Sequence, residues 1–187
     1  MPAPTPRSSC ITLLSAGLLV CFATMAAAQA QQTPVPDNHL VAPPVLAKLV
    51  PTVEGWTRGV TRMSEVAAGE CNYTTVTVTY AKDENRVKLT LGDTGMHNES
   101  IMALASPVVI LAADYAENLH PLTTIRRLKI EGSPAYEMWN GEKMTGEITV
   151  LVGGRFVVTV EAQKGDSLET LRQVFAAVDL KALAALK

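Results

Sequence analysis

The sequence predicts an α+β fold, in which helices pack on an antiparallel sheet of about six strands arranged β-β-α-β-β-β-β-α along the chain. Short segments alternate apolar and polar side chains, which is typical of half-buried strands. Short turns join consecutive strands, so these strands must pair antiparallel. Residues 98–119 and 168–178 instead repeat their apolar side chains every three or four positions, which indicates helices.

The segment 145–162 predicts two strands around a Gly-Gly turn. Its apolar residues face one core only if Val152 lies opposite Phe156, because a slip of one residue turns every side chain to the other face. That pairing requires the three-residue loop Gly153-Gly154-Arg155 or a bulge. The face so formed contains Ile148, Val150, Val152, Phe156, Val158, Val160 and Ala162. The other face is partly apolar, which suggests that it is covered as well.

Residues 72–92 predict a second hairpin around the polar loop 82–85. Pairing Ala81 with Arg86 brings the apolar residues of both strands to one face. The opposed pairs are then Tyr80 with Val87, Val78 with Leu89, and Val76 with Leu91.

The remaining strands and one aromatic side chain complete the predicted core. Residues 122–131 predict a strand with Leu128 and Ile130 on one face. Residues 135–139 predict the next strand, with Tyr136 and Met138 facing the core. We expect Trp56 to close the edge of this core, because its large ring removes much apolar area from water.

Four helices are predicted from start signals and spacing. A short one begins at Pro44 and ends before Pro51, and the long apolar one spans 98–119 with Pro107 as a kink or break. Asp166 is the predicted cap of the third, with Glu169 in the capping-box position, and Asp179 begins the last.

The first thirty residues predict a secretory signal peptide. Residues 1–7 carry one positive charge, and residues 11–20 are almost wholly apolar. The small residues Ala28 and Ala30 precede a predicted cleavage before Gln31. The alternatives are an uncleaved membrane anchor and, less favoured because the residue before it is Val20, lipid attachment at Cys21.

Cleavage would leave a proline-rich tether over 31–43 and a single α+β domain over 44–187, exported to the periplasm or outside the cell. The cleaved chain would hold 15 basic and 18 acidic residues, a net charge of −3. It has no basic block, so we expect no nucleic-acid partner. Cys71 would be its one cysteine, which excludes an internal disulfide and favours a small buried side chain.

The strand and helix order resembles the PsbP-like sandwich. Three segments further resemble a group of uncharacterised exported bacterial proteins: Glu54-Gly55-Trp56, the hairpin 146–158, and Val178-Asp179-Leu180. This resemblance would cover residues 44–187. It rests on structural residues, so it implies a fold and export but transfers no activity.

A catalytic or metal motif is not recognisable in the sequence, so no catalytic residue and no cofactor are predicted. The weak candidates for a metal site are His97 and Glu99 before the long helix, and Asp114 and His120 near its end. A helix of that length separates the two groups by about 25–30 Å unless Pro107 folds it back. A capped, solvated helix end is the favoured interpretation.

The leading hypothesis for function is an exported, non-catalytic domain that binds a protein or a component of the cell envelope. The alternative is a carrier of a small apolar ligand beneath helix 98–119, since so apolar a helix can roof a cavity. The third hypothesis, an enzyme, would need clustered polar groups that the sequence does not bring together.

Overall fold

Alternating side chains and tight turns produce one antiparallel sheet in the computed structural model, which describes residues 39–68, 71–96, 101, 123–165 and 167–186. These residues belong to the compact unit Pro36–Lys187. The strands are β1 (Thr57–Arg58), β2 (Arg62–Ala68), β3 (Cys71–Lys82), β4 (Asn85–Asp93), β5 (Thr123–Ile130), β6 (Ser133–Asn140), β7 (Thr145–Val152) and β8 (Phe156–Lys164). The helices are α1 (Pro43–Ala47), α2 (Leu168–Ala176) and α3 (Leu180–Ala184).

The order across the sheet is β1-β3-β4-β8-β7-β6-β5, and β2 also pairs with β3, on the same side as β1. The α+β class is therefore confirmed, but the prediction of six strands was wrong because β1 and β2 were missed. Between these two strands, residues 59–61 oppose only Val78 and Thr79, which is a β-bulge. Gly59 suits this bulge, since a Cβ there would lie 2.9 Å from the Thr79 carbonyl oxygen.

Both predicted hairpin registers are confirmed. Val152 lies opposite Phe156, and Val78 lies opposite Leu89. The turn between β7 and β8 uses the left-handed backbone region, with φ of +61° at Gly153 and +68° at Gly154. The apolar faces of β3, β4, β7 and β8 form the centre of the core, which also contains Trp56 as predicted.

The opposite face of the central strands also contains buried side chains. Thr149 is only 4% exposed and Val157 only 3%, although neither belongs to the main core cluster. Thr149 and Thr159 share a hydrogen bond of 3.1 Å between their hydroxyl oxygens. Thr77 and Thr90 form a second hydroxyl pair of this kind, at 3.4 Å. Buried side chains thus lie on both faces of the sheet centre, and four threonine hydroxyls of the second face are paired across strands.

The predicted orientation of β6 was wrong. Ala135 pairs with Leu128 and with Val150, so Ala135 and Glu137 face the helices while Tyr136 and Met138 lie on the other face. Alternation alone assigns the two large apolar side chains of β6 to the core. That assignment is wrong because a positively charged side chain on α2 balances the charge of the buried Glu137 carboxylate.

Side-chain hydrogen bonds to backbone N–H groups mark where α2 and α3 begin. The N-cap of α2 is Ser167, whose hydroxyl accepts from the Thr170 N–H, so the assignment to Asp166 was wrong. The predicted cap of α3 is confirmed, because an Asp179 carboxylate oxygen accepts from the Ala182 N–H at 2.9 Å. The first helix is confirmed within one residue of its predicted start. Apart from Ile101, the predicted helix 98–119 lies outside the described residues.

Arg155, in the loop between β7 and β8, joins three parts of the chain. Its Nε and Nη2 donate to the two carboxylate oxygens of Asp93 at 2.7 and 2.8 Å. Asp93 is fully buried at the end of β4 and also accepts from the backbone N–H groups of Val41 and Gly95. Arg155 donates further to the His39 carbonyl oxygen at 2.8 Å. This ion pair and the hydrogen bonds beside it thus hold the backbone at His39 and Val41 against the end of β4 and the start of β8.

Replacing Arg155 with alanine should destabilise the fold by about 3–5 kcal/mol, because Asp93 would remain buried without its cation. Arg155→Lys should recover only part of this loss, since a lysine cannot form the two-pronged contact. The measurement is the urea midpoint. Arg86→Ala is the matched control, because Arg86 is exposed beside the turn joining β3 and β4, and its loss should be within about 0.5 kcal/mol. Equal losses at Arg155 and Arg86 would contradict the prediction.

Tyr80 gives the fold a dependence on high pH. Its ring is buried in the core and its hydroxyl donates to the Pro51 carbonyl oxygen at 2.6 Å. Burial raises the pKa of Tyr80 to about 12, against a smaller lowering by Arg58. The folded protein therefore keeps a proton that the unfolded chain loses above its ordinary pKa of 10.0. The stabilisation is complete below pH 10 and disappears as pH rises through about 12.

We therefore expect the free energy of unfolding to fall between pH 10 and pH 12, at a rate on the order of 1 kcal/mol per pH unit from this group. Tyr80→Phe should remove this part of the slope while leaving the slopes of other titrating groups. Urea unfolding at several pH values measures both proteins. Parallel curves for the two would show that Tyr80 titrates alike in the folded and unfolded states.

Candidate binding groove

An open groove lies where the β5–β6 end of the sheet meets α2 and α3. Its volume is about 440 Å³. The main contacts of α2 are with β4, β7 and β8, and those of α3 are with β7, so these two helices contact β5 and β6 less. The apolar side chains that line the groove are Leu128, Ile130, Ile148, Phe175, Val178 and Leu180.

The apolar wall of the groove follows from the alternation in β5 and β6. Leu128 and Ile130 are half-buried and pack against the edge of the core cluster. Ile148 and Phe175 are buried more deeply. The groove is therefore a strip of core surface that the short helices leave partly open, and it offers apolar contact rather than a deep enclosed cavity.

The polar floor of the groove is an ion pair between Glu137 on β6 and Arg172 on α2. The Arg172 Nε and Nη2 donate to the two Glu137 carboxylate oxygens at 2.9 and 2.8 Å. Glu137 is 3% exposed, whereas the Arg172 side chain is 42% exposed. Arg126 lies 3.8 Å from the same carboxylate. The two-pronged contact satisfies both oxygens of Glu137, so the pair joins helix to sheet and orients the groove wall.

The strand beside the groove, β5, is basic. Arg126, Arg127 and Lys129 are all exposed, and β5 contains no acidic residue, but Arg127 and Lys129 lie on the face opposite the groove. Among the described strands, β5 ends the sheet and pairs with β6 alone. On the helix side of the groove, Lys181 lies 3.9 Å from Glu131. The groove thus combines an apolar wall with an ion pair that satisfies its buried carboxylate.

The site residues predicted from sequence lie elsewhere. The metal candidates His97, Glu99, Asp114 and His120 are outside the described residues, and so is the predicted cleavage site. The described residues contain no group of three or more metal-ligating side chains, and none of the helices described could span a membrane. The described Cys71 is a half-buried free thiol at the start of β3. The metal, cleavage and ligand-carrier hypotheses therefore stay predictions.

Sequence reasoning missed Glu137 and Arg172. A carboxylate within an apolar strand was the available signal, but alternation assigned Glu137 to the solvent side. Its partner lies 35 positions away along the chain. Only the packing of α2 on the sheet reveals the pair.

Comparison of the chain with protein-family models, with curated proteins and with solved structures gave no match. The resemblance to exported bacterial proteins and to the PsbP-like sandwich therefore stays a prediction.

Removing Arg172 should cost more than removing the whole ion pair. Arg172→Leu leaves a buried carboxylate without its main partner, and we expect a loss of roughly 1–3 kcal/mol, moderated by water at the exposed side of the groove. The double variant Glu137→Leu/Arg172→Leu should regain most of that loss, because apolar pairs replace buried ion pairs at little cost. Urea midpoints measure both. Additive losses from Glu137→Leu and Arg172→Leu would contradict this coupling.

Proposed function

We propose that this chain is an exported, non-catalytic binding module whose groove, beside β5, receives part of a protein or of another component of the cell envelope. The observation that carries the proposal is the accessible apolar wall formed by Leu128 and Ile130 with the side chains of α2 and α3. Apolar surface left accessible next to polar residues is typical of interaction sites.

Export is supported by the sequence alone. The charged start, the apolar run over 11–20 and the small residues Ala28 and Ala30 form the pattern that signal peptidases recognise. The proline-rich segment predicted over 31–43 would then join the cleavage point to the domain, although from His39 onward its residues are part of the fold. Proline-rich linkers act as extended spacers, which would suit a domain presented to partners outside the cytoplasm.

A binding role is also supported by how the polar groups of the groove are used. Glu137 and Arg172 bind each other, and Glu131 lies near Lys181. The described lining contains no serine, cysteine or histidine that could act as a nucleophile or proton carrier. These groups position apolar side chains, which fits recognition better than chemistry.

The test is position-specific photo-cross-linking in the cells that produce the protein. A photoreactive residue replaces Ala176, which is exposed and lines the groove, or Gln173, which is exposed on the same helix but outside the described lining. We expect a discrete adduct from position 176 and little from position 173. The purified partner should then bind the wild-type protein at least about tenfold more tightly than Ala176→Trp, whose ring fills the groove.

Gln173→Trp is the matched control and should bind like the wild type. Adducts of equal yield at both positions, or binding unaffected by Ala176→Trp, would show that the groove is not the binding site.

A further inference from the structure

We propose that the protein has a second binding site, for an acidic sugar, on the sheet face opposite the groove. The site is a depression of about 460 Å³ beside the bulge between β1 and β2. Its lining includes Val60, Arg62, Thr77, Thr79, Lys88 and Gln163. None of these residues lines the groove beside β5, so the site is independent of the proposed function.

The strand registers bring the polar side chains of the depression to one face. Arg62 lies opposite Thr77, and Thr79 lies opposite Lys88. Directly opposed residues share a face, with their Cβ atoms about 4.5–5.5 Å apart, and alternation along β3 places both threonines on that face. Val78, between the two threonines, belongs to the core on the other face. The alternation that buries the core thus also assembles this polar surface.

Two β-bulges shape the rim of the depression. The bulge at residues 59–61 holds Val60 there, and Val60 is 83% exposed. In the other bulge, Gln163 is the extra residue where β8 passes the start of β4. Bulges redirect side chains and are frequent beside functional sites. Arg62 and Gln163 are exposed as well, so a small molecule can reach the depression.

Arg62 supplies the positive charge of the site. Its guanidinium group forms no hydrogen bond or ion pair with any residue that the structure describes. Lys88 differs, because Glu161 binds it and balances its charge. An anionic group of a ligand would therefore pair with Arg62, whose planar donors match the two oxygens of a carboxylate.

The neutral groups around Arg62 favour a sugar as the body of the ligand. Hydroxyl and amide side chains both donate and accept hydrogen bonds, as sugar hydroxyls do. Among the described residues, the Thr79 hydroxyl and the Gln163 amide have no hydrogen-bond partner, and the Thr77 hydroxyl lies 3.4 Å from that of Thr90. The described lining contains no aromatic side chain on which a nucleotide base could stack. A volume of about 460 Å³ is typical of small-molecule sites and exceeds the size of one oxyanion.

Threonine and arginine are also frequent on sheet surfaces for reasons unrelated to binding. Threonine favours strands, and charged residues on edge strands prevent aggregation. Neither property gives a surface a saturable site for one class of molecule, so a titration separates the two explanations.

The probe is glucuronate, titrated into isotope-labelled protein purified from the cells that produce it, with NMR shifts of the backbone amide groups as the readout. We expect saturable shifts around Thr77, Thr79 and Gln163. The Kd should be on the order of 1 mM, because so few contacts support only weak affinity. Glucose lacks the charge and inorganic phosphate lacks the sugar hydroxyls, so each should bind at least about tenfold more weakly.

Two substitutions with matched controls test the assigned contacts. Arg62→Gln should weaken glucuronate binding at least about tenfold, since the charged contact is lost. Lys48→Gln removes the same charge at an exposed position directly after α1 and should leave the affinity unchanged. Thr79→Val should weaken binding about threefold, because it removes a hydroxyl and keeps the branched shape. Thr75→Val, on the same face of β3 but outside the described lining, should bind like the wild type.

Urea midpoints near the wild-type value would show that the variants stay folded. Absence of saturation by about 10 mM glucuronate would overturn the proposal. So would equal affinity of Arg62→Gln and the wild type, or glucose binding as tightly as glucuronate. Phosphate binding as tightly as glucuronate would mark an adventitious anion site only. The groove variant Ala176→Trp should bind glucuronate normally, and loss of binding there would place the sugar in the groove instead.

Discussion

The pairing of β4 with β8 is the constraint on which the described structure depends. β4 ends the first set of paired strands and β8 ends the meander β5–β8, so this single pairing joins the two halves of the sheet. Its register ends at Asp93 opposite Phe156, and Arg155 next to that pair binds Asp93 through both carboxylate oxygens. A shift of one residue along β8 would turn Val158 and Val160 out of the core and separate these charges at once. Hydrophobic packing and one buried ion pair therefore specify the same register.

The groove follows from where the last helices begin. α2 starts soon after β8 and contains nine residues, so its length is about 14 Å at 1.5 Å per residue. Its main contacts are with β4, β8 and β7. It reaches β6 through the ion pair between Arg172 and Glu137, whereas Leu128 and Ile130 of β5 are left half-buried at the end of the sheet.

The sequence predicted those features that depend on neighbouring residues. The two hairpin registers followed from alternation and loop length, because each hairpin buries one continuous apolar face. β1 and β2 were not predictable in this way, since residues 57–67 are largely exposed and the two strands form by pairing with β3. The face of β6 was misassigned for a related reason. Burial of Glu137 is favourable only when Arg172 is present, and alternation within one strand contains no information about a helix 35 residues later.

Arg172 and Arg155 have the same structural role, since each balances a buried carboxylate. Arg155 binds Asp93 and holds the chain before α1 against the ends of β4 and β8, whereas Arg172 binds Glu137 and holds α2 on β6. Arg126 also lies 3.8 Å from the Glu137 carboxylate, directly across the β5–β6 pair. Glu137 therefore contributes both to the contact between helix and sheet and to the pairing of the last two strands of the sheet. A carboxylate at this position can be buried because cations from two elements lie beside it, which is the reason that alternation within β6 alone does not predict its orientation.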